Sequence, residues 1–72
     1  MKWTWIAGMI SNQPSRSLCR TVDIDAYAPE PYAHVYRCNN GTWAATWDDG
    51  QLIGYFDHKG EAMDAAFDVV AS

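Results

Sequence analysis

Apolar and polar residues alternate from Lys2 to Ile10, with Trp3, Trp5, Ala7 and Met9 on one side. A period of two is that of a β-strand, and Trp and Ile suit a pleated, half-buried surface. The next seven residues, "SNQPSRS" (Ser11 to Ser17), lose the alternation and read as a polar loop around Pro14. Leu18 to Tyr27 alternates again, with Val22, Ile24 and Ala26 opposed to Thr21, Asp23 and Asp25, which predicts a second strand. "APEP" (Ala28 to Pro31) ends it, because neither proline can donate to a ladder.

Three further strands follow: Tyr32–Cys38, Thr42–Asp48 and Gln51–Asp57, joined by "NNG" and "DG". Asn-Gly and Asp-Gly tolerate the positive φ angles of two-residue hairpin turns. Turns at Asn40-Gly41 and Asp49-Gly50 set Cys38 against Trp43, Tyr36 against Ala45 and His34 against Trp47. Across the second hairpin they set Trp47 against Leu52, Ala45 against Gly54 and Trp43 against Phe56. One face then gathers His34, Tyr36, Cys38, Trp43, Ala45, Trp47, Leu52, Gly54 and Phe56. Its centre is a trough of small residues between two tryptophans. The other face carries Val35, Arg37, Thr42, Ala44, Thr46, Ile53 and Tyr55.

The trough has an occupant in "KGEAMDAAFDVVAS", where Met63, Ala66, Phe67 and Val70 form an apolar stripe at helical spacing. Asp57 is placed to cap this helix, and Ala62, Ala65 and Ala66 allow close approach over Gly54. Glu61, Asp64 and Asp68 share the opposite stripe. The expected fold is α+β: a four- or five-stranded antiparallel sheet with one C-terminal helix on one face, a single domain over residues 1–72.

Composition narrows what such a domain can do. A chain of 72 residues buries only about 60% of its unfolded surface, so its core must be dense. Four Trp, four Tyr and two Phe supply that density, and 49% apolar against 19% charged residues is a globular balance. No apolar run reaches the roughly 18 residues of a membrane span, and the N-terminal stretch reads as a strand, not a signal peptide. Cys19 and Cys38 match no zinc or redox spacing and are expected as free thiols in a cytoplasmic protein.

The formal net charge is −4, unevenly spread: Lys2, Arg16 and Arg20 face no acid before residue 21, whereas all nine acids follow, with only Arg37 and Lys59. The acidic majority repels phosphate, which argues against direct nucleic-acid binding.

Candidate chemistry is thin. Asp23 with Asp25, and Asp48 with Asp49, are carboxylate pairs whose positions on a strand face and in a turn mark solvated acids. Cys19, Cys38, His34 and His58 lack metal-ligand spacing, and His34 is expected to pack on Trp47. The serines show no nucleophile motif, and Asn40-Gly41-Thr42, a formal glycosylation sequon, reads as a hairpin turn. No catalytic residue, metal or cofactor is expected.

"YRCNNGTWAATWDDGQLIGYFDHKGEAMDAA" resembles the β-β-β-α pattern of AP2-like or arm-binding domains of phage-type integrases. The resemblance covers three strands, their N-G and D-G turns, "W-x-A-x-W", "G-x-F" and an "E-A" helix opening. It implies a small DNA-binding accessory module, yet Arg37 is the one cation on the face such modules use. In size, charge and composition the chain also resembles small phage-encoded inhibitors of the anti-CRISPR kind. That resemblance implies a non-enzymatic inhibitor of a host protein with a basic, nucleic-acid-binding surface. Asp48, Asp49, Asp57, Glu61, Asp64 and Asp68 would meet that surface, with Arg37 and Tyr55 as anchors on the sheet. An oligomerising domain, a homodimer through the Tyr55/Ile53 face, is the further alternative.

Overall fold

The computed structural model describes residues 2–10, 12–21 and 30–72. It contains five strands and a helix in the order β1 (Lys2–Ile10), β2 (Gln13–Thr21), β3 (Glu30–Arg37), β4 (Trp43–Trp47), β5 (Leu52–Phe56) and α1 (Lys59–Ala71). The strands form one antiparallel sheet in sequential order, and α1 packs across one face of it. This is the expected α+β architecture, at five strands. The expected strand over Val22–Tyr27, with Asp23 and Asp25, lies outside the described residues.

β1 has the bounds its alternation predicts, but β2 starts earlier than expected. The polar stretch around Pro14 is strand, not loop. Ile10 pairs with Gln13, and Asn12, just before β2, takes a left-handed φ of 65°. Asn tolerates that region better than most residues. Pro14 pairs with Met9 but falls just beyond the Ser15–Arg20 stretch that pairs with β3, so its missing N–H interrupts no ladder there. Pro31 is likewise within β3. It opposes Cys19 where the register shifts between Leu18 and Cys19, a bulge that accommodates a residue without a donor.

The two later hairpins share one turn, and it differs from the two-residue form. Cys38 N–H donates to Thr42 O at 2.8 Å and Gly41 N–H to Cys38 O at 3.0 Å. Trp47 N–H donates to Gln51 O at 2.8 Å and Gly50 N–H to Trp47 O at 2.9 Å. Gly41 and Gly50 sit at φ 87° and 94°, whereas Asn40 and Asp49 do not have positive φ. A two-residue turn of mirror type would need it at both central positions; a three-residue loop ending in a left-handed glycine needs it only at the last. The side chains finish each loop: Asn40 Oδ1 accepts from Thr42 N–H, and Asp49 Oδ1 from Gln51 N–H.

One added loop residue slides β3 by one position against β4, and a slip of one exchanges the faces. Val35 therefore opposes Ala45, His34 opposes Thr46 and Ala33 opposes Trp47. All three pairings expected for that hairpin are overturned. His34, Tyr36 and Cys38 face away from the helix, and Val35 lies beneath it. In the second hairpin a bulge at Ile53 absorbs the same extra residue. Ala45–Gly54 and Trp43–Phe56 pair as expected, while Leu52 opposes Thr46 instead of Trp47.

The register explains the core. Leu18, Ala33, Val35 and Ala45 from the sheet meet Ala62 and Ala66 from α1, all fully buried, with Trp3, Trp5, Trp43, Ile53, Phe56, Met63 and Val70 around them. Small side chains on both layers let the helix backbone approach closely between bulky rings, the trough-filling arrangement the alanines predict. Trp3 closes one end, edge-on to Tyr32 and Phe67 at centroid distances of 5.3 and 6.2 Å, with Arg20 5.8 Å from its ring. The helix N-cap is His58, in extended conformation and without a side-chain capping bond, so the cap expected of Asp57 belongs to the next residue.

Candidate functional site

Two surfaces carry the candidate residues, on opposite sides of the sheet. The first is the outer face of α1. Ala62 and Ala66 point inward, which turns Glu61, Asp64 and Asp68 outward, all exposed, with exposed Asp57 just before the helix. None of these four carboxylates pairs with a cation among the described residues. Glu61 suits the positive end of the helix dipole, but no basic side chain balances Asp68 in the last turn. Like charges three and four residues apart repel by a few tenths of a kcal/mol per pair. The stripe therefore works slightly against the helix that carries it.

The second surface is the sheet face that α1 leaves uncovered. It presents Ile6, Gly8, Ser15, Ser17, Cys19, His34, Tyr36, Ala44, Thr46, Leu52 and Tyr55, as the ladders require. At its turn end, Cys38, Asn39, Asn40, Thr42 and Tyr55 line a wide, shallow depression of about 610 Å³.

The structure separates several residues expected to act together. Asp48 lies on the open face, away from the helix acids, and its carboxylate is engaged: Oδ1 lies 2.7 Å from His34 Nε2. Asp49 sits exposed at the tip of the β4–β5 turn. Arg37 shares the helix-side parity of Val35, so it and Tyr55 are on opposite faces and form no joint anchor. Tyr55 remains one of the most exposed large side chains, at 64%.

His34 is where sequence reasoning missed an arrangement. Instead of packing on Trp47 it joins three elements, with Nδ1 2.8 Å from Ser17 Oγ on β2 and Nε2 bonded to Asp48 in the β4–β5 turn. An ionised carboxylate only accepts, so in the neutral ring Nε2 carries the proton and Nδ1 accepts from the Ser17 hydroxyl. The order hydroxyl, imidazole, carboxylate is that of a nucleophilic triad. Its surroundings are not. Ser17 sits mid-strand between β1 and β3, where neighbouring backbone N–H groups belong to ladders and are not aimed at a developing oxyanion. The array is a polar strut that ties β2, β3 and the turn together. Nearby, burial pushes the Cys19 thiol pKa up and the Asp48 carboxylate adds to it.

Cys19 and Cys38 are both free, as expected. Cys19 pairs with Pro31 and Cys38 follows Arg37, so roughly 20 Å of strand separates them, far beyond disulfide reach. Among the described residues no group of His, Cys, Asp and Glu is arranged to hold a metal ion, and no helix is long and apolar enough to cross a membrane.

The fold and these surfaces define a two-layer α+β domain with an acidic helix outside and, behind it, a sheet face on which Asp48, bound to His34, is the carboxylate among the described residues. Comparison with family models, curated proteins and solved structures gives no match to this chain.

Proposed function

We propose that this chain is a binding protein without chemistry of its own, of the small phage-encoded inhibitor kind. In this reading it masks a basic, nucleic-acid-handling surface of a host protein in the host cytoplasm. The observation that carries the proposal is the outer face of α1, where Glu61, Asp64 and Asp68, with Asp57 just before the helix, stand exposed and unpaired among the described residues. Closely spaced carboxylates on a rigid helix mimic the charge density of a phosphate backbone and steer a basic partner into contact. The reading places Asp49 at the margin of the contact and withdraws Asp48, whose carboxylate is bound to His34.

The test is capture from a bacterial lysate followed by competition. The expected result is a nucleic-acid-binding protein released at high salt, whose nucleic acid this chain displaces. Binding of the chain itself to DNA at moderate salt would overturn the proposal in favour of an integrase-like accessory module.

A further inference from the structure

The side chains of the open sheet face fall into rows that cross all five strands. One row is Ile6, Ser17, His34, Thr46 and Leu52; the next is Gly8, Ser15, Tyr36, Ala44 and Tyr55. About its middle strand, β3, the first row is chemically palindromic: aliphatic, hydroxyl, imidazole, hydroxyl, aliphatic. The second pairs its bare position, Gly8, with its most prominent one, Tyr55. Ile6, Leu52 and Tyr55 are 40, 50 and 64% exposed, whereas Ser15, Ala44 and Thr46 are sunk between larger neighbours at 2, 0 and 8%. Neither row contains a charged residue.

We propose that this face is the interface of a homodimer, in which two copies pack sheet to sheet about a twofold axis running along β3. That axis lays β1 of one copy over β5 of the other. Ile6 then meets Leu52, Ser17 meets Thr46, and Ser15 meets Ala44. The Tyr55 ring settles over Gly8, where no side chain opposes it, and Tyr36 meets its counterpart at the centre. Every ridge faces a hollow or a like surface, as an isologous contact requires. Aligned sheets stack with their strand directions within about 30° of each other, and these pairings belong to the near-parallel end of that range.

Other occupants fit less well. Nucleic acid would find no lysine or arginine in either row, and a basic protein would find only Asp48 at the margin, already bound to His34. Five strands about 4.8 Å apart and roughly 20 Å long offer on the order of 500 Å² per copy before side-chain relief is counted. The pair thus approaches the lower end of specific interfaces, about 1,200 Å² in total, the size class of weak, reversible contacts. Each copy carries −4, so salt, by screening their repulsion, tightens the dimer. The two α1 helices face outward on opposite sides, and the proposal is independent of the partner reading above.

Sedimentation equilibrium of the full chain over the micromolar range, at low and high salt, tests this. The wild type shows a monomer–dimer equilibrium that tightens with salt. Leu52→Asp and Tyr55→Asp, each at an already exposed position, keep the wild-type circular dichroism and raise the dissociation constant at least tenfold. Asp64→Lys with Asp68→Lys dimerises as well as the wild type or better. A monomer at every concentration, dimers that survive both β5 substitutions, or a dimer lost only in the helix variant would each overturn the proposal.

Discussion

Val35→Ala and Leu52→Ala together separate the observed register from the one that two-residue turns would give. Val35, on β3, is fully buried beneath α1. Removing its two methyl groups forfeits about 1.6 kcal/mol at about 0.8 per buried carbon. The cavity left among residues already as small as alanine adds about 1 kcal/mol, because little beside it can collapse inward. The total is about 2–3 kcal/mol. A domain of this size holds about 3–5 kcal/mol, so the variant keeps at most about 60% of its stability, and its Tm falls by about 10–20 °C. Leu52 is half exposed on the open face, and its truncation costs under about 1 kcal/mol. Urea unfolding followed by tryptophan fluorescence, at concentrations too low for self-association, measures both. Val35→Ala within about 0.5 kcal/mol of wild type, with Leu52→Ala losing 2 or more, would refute the reasoning. It would put His34 and Tyr36 beneath the helix.

Further outcomes follow from the turns, the histidine and the thiols. Gly41→Ala and Gly50→Ala each cost about 1–2 kcal/mol despite open space around both positions, because φ of 87° and 94° is strained for an L side chain; unchanged melting would remove the left-handed glycines from the account. Nitrogen-15 spectra of His34 near pH 8 show the proton on Nε2, and a proton on Nδ1 would break the assigned chain from Ser17 to Asp48. Cys19 alkylates far more slowly than Cys38 in the native protein, and both react once unfolded. A thiol pKa raised in the folded state contributes stability that is whole below the unfolded value of about 8.5 and is lost as pH climbs past it. Melting temperature should therefore decline above that pH, and less steeply in Cys19→Ala; equal slopes would contradict the shift.

How much of this was legible in the sequence depends on whether a feature is local. β1 and α1 could be read because their periods are carried by their own residues, Trp3 and Trp5 in one and Ala62 and Ala66 in the other. The glycine turns were visible too, but Asn-Gly and Asp-Gly serve loops of two and of three residues. The choice between them is a question of backbone φ that composition leaves open. That single residue decides which side of β3 is core. β2 was obscured by Pro14 and by polar residues that alternate only in relation to an uncovered face. The chain from Ser17 to His34 to Asp48 was out of reach, since it exists only once β2 lies beside β3 and the β4–β5 turn folds over. The helix acids were readable as a stripe; what they meet is a property of another molecule.

The most direct test of the binding account is the association rate of the chain with the protein it captures, for wild type and for Asp64→Lys with Asp68→Lys, across a salt series. The double substitution relieves repulsion and suits the end of the helix dipole, so folding is unchanged or slightly improved. The account predicts association slowed by about tenfold or more at low salt, with the difference closing as salt rises. Equal rates and an equal salt dependence for the two proteins would contradict it.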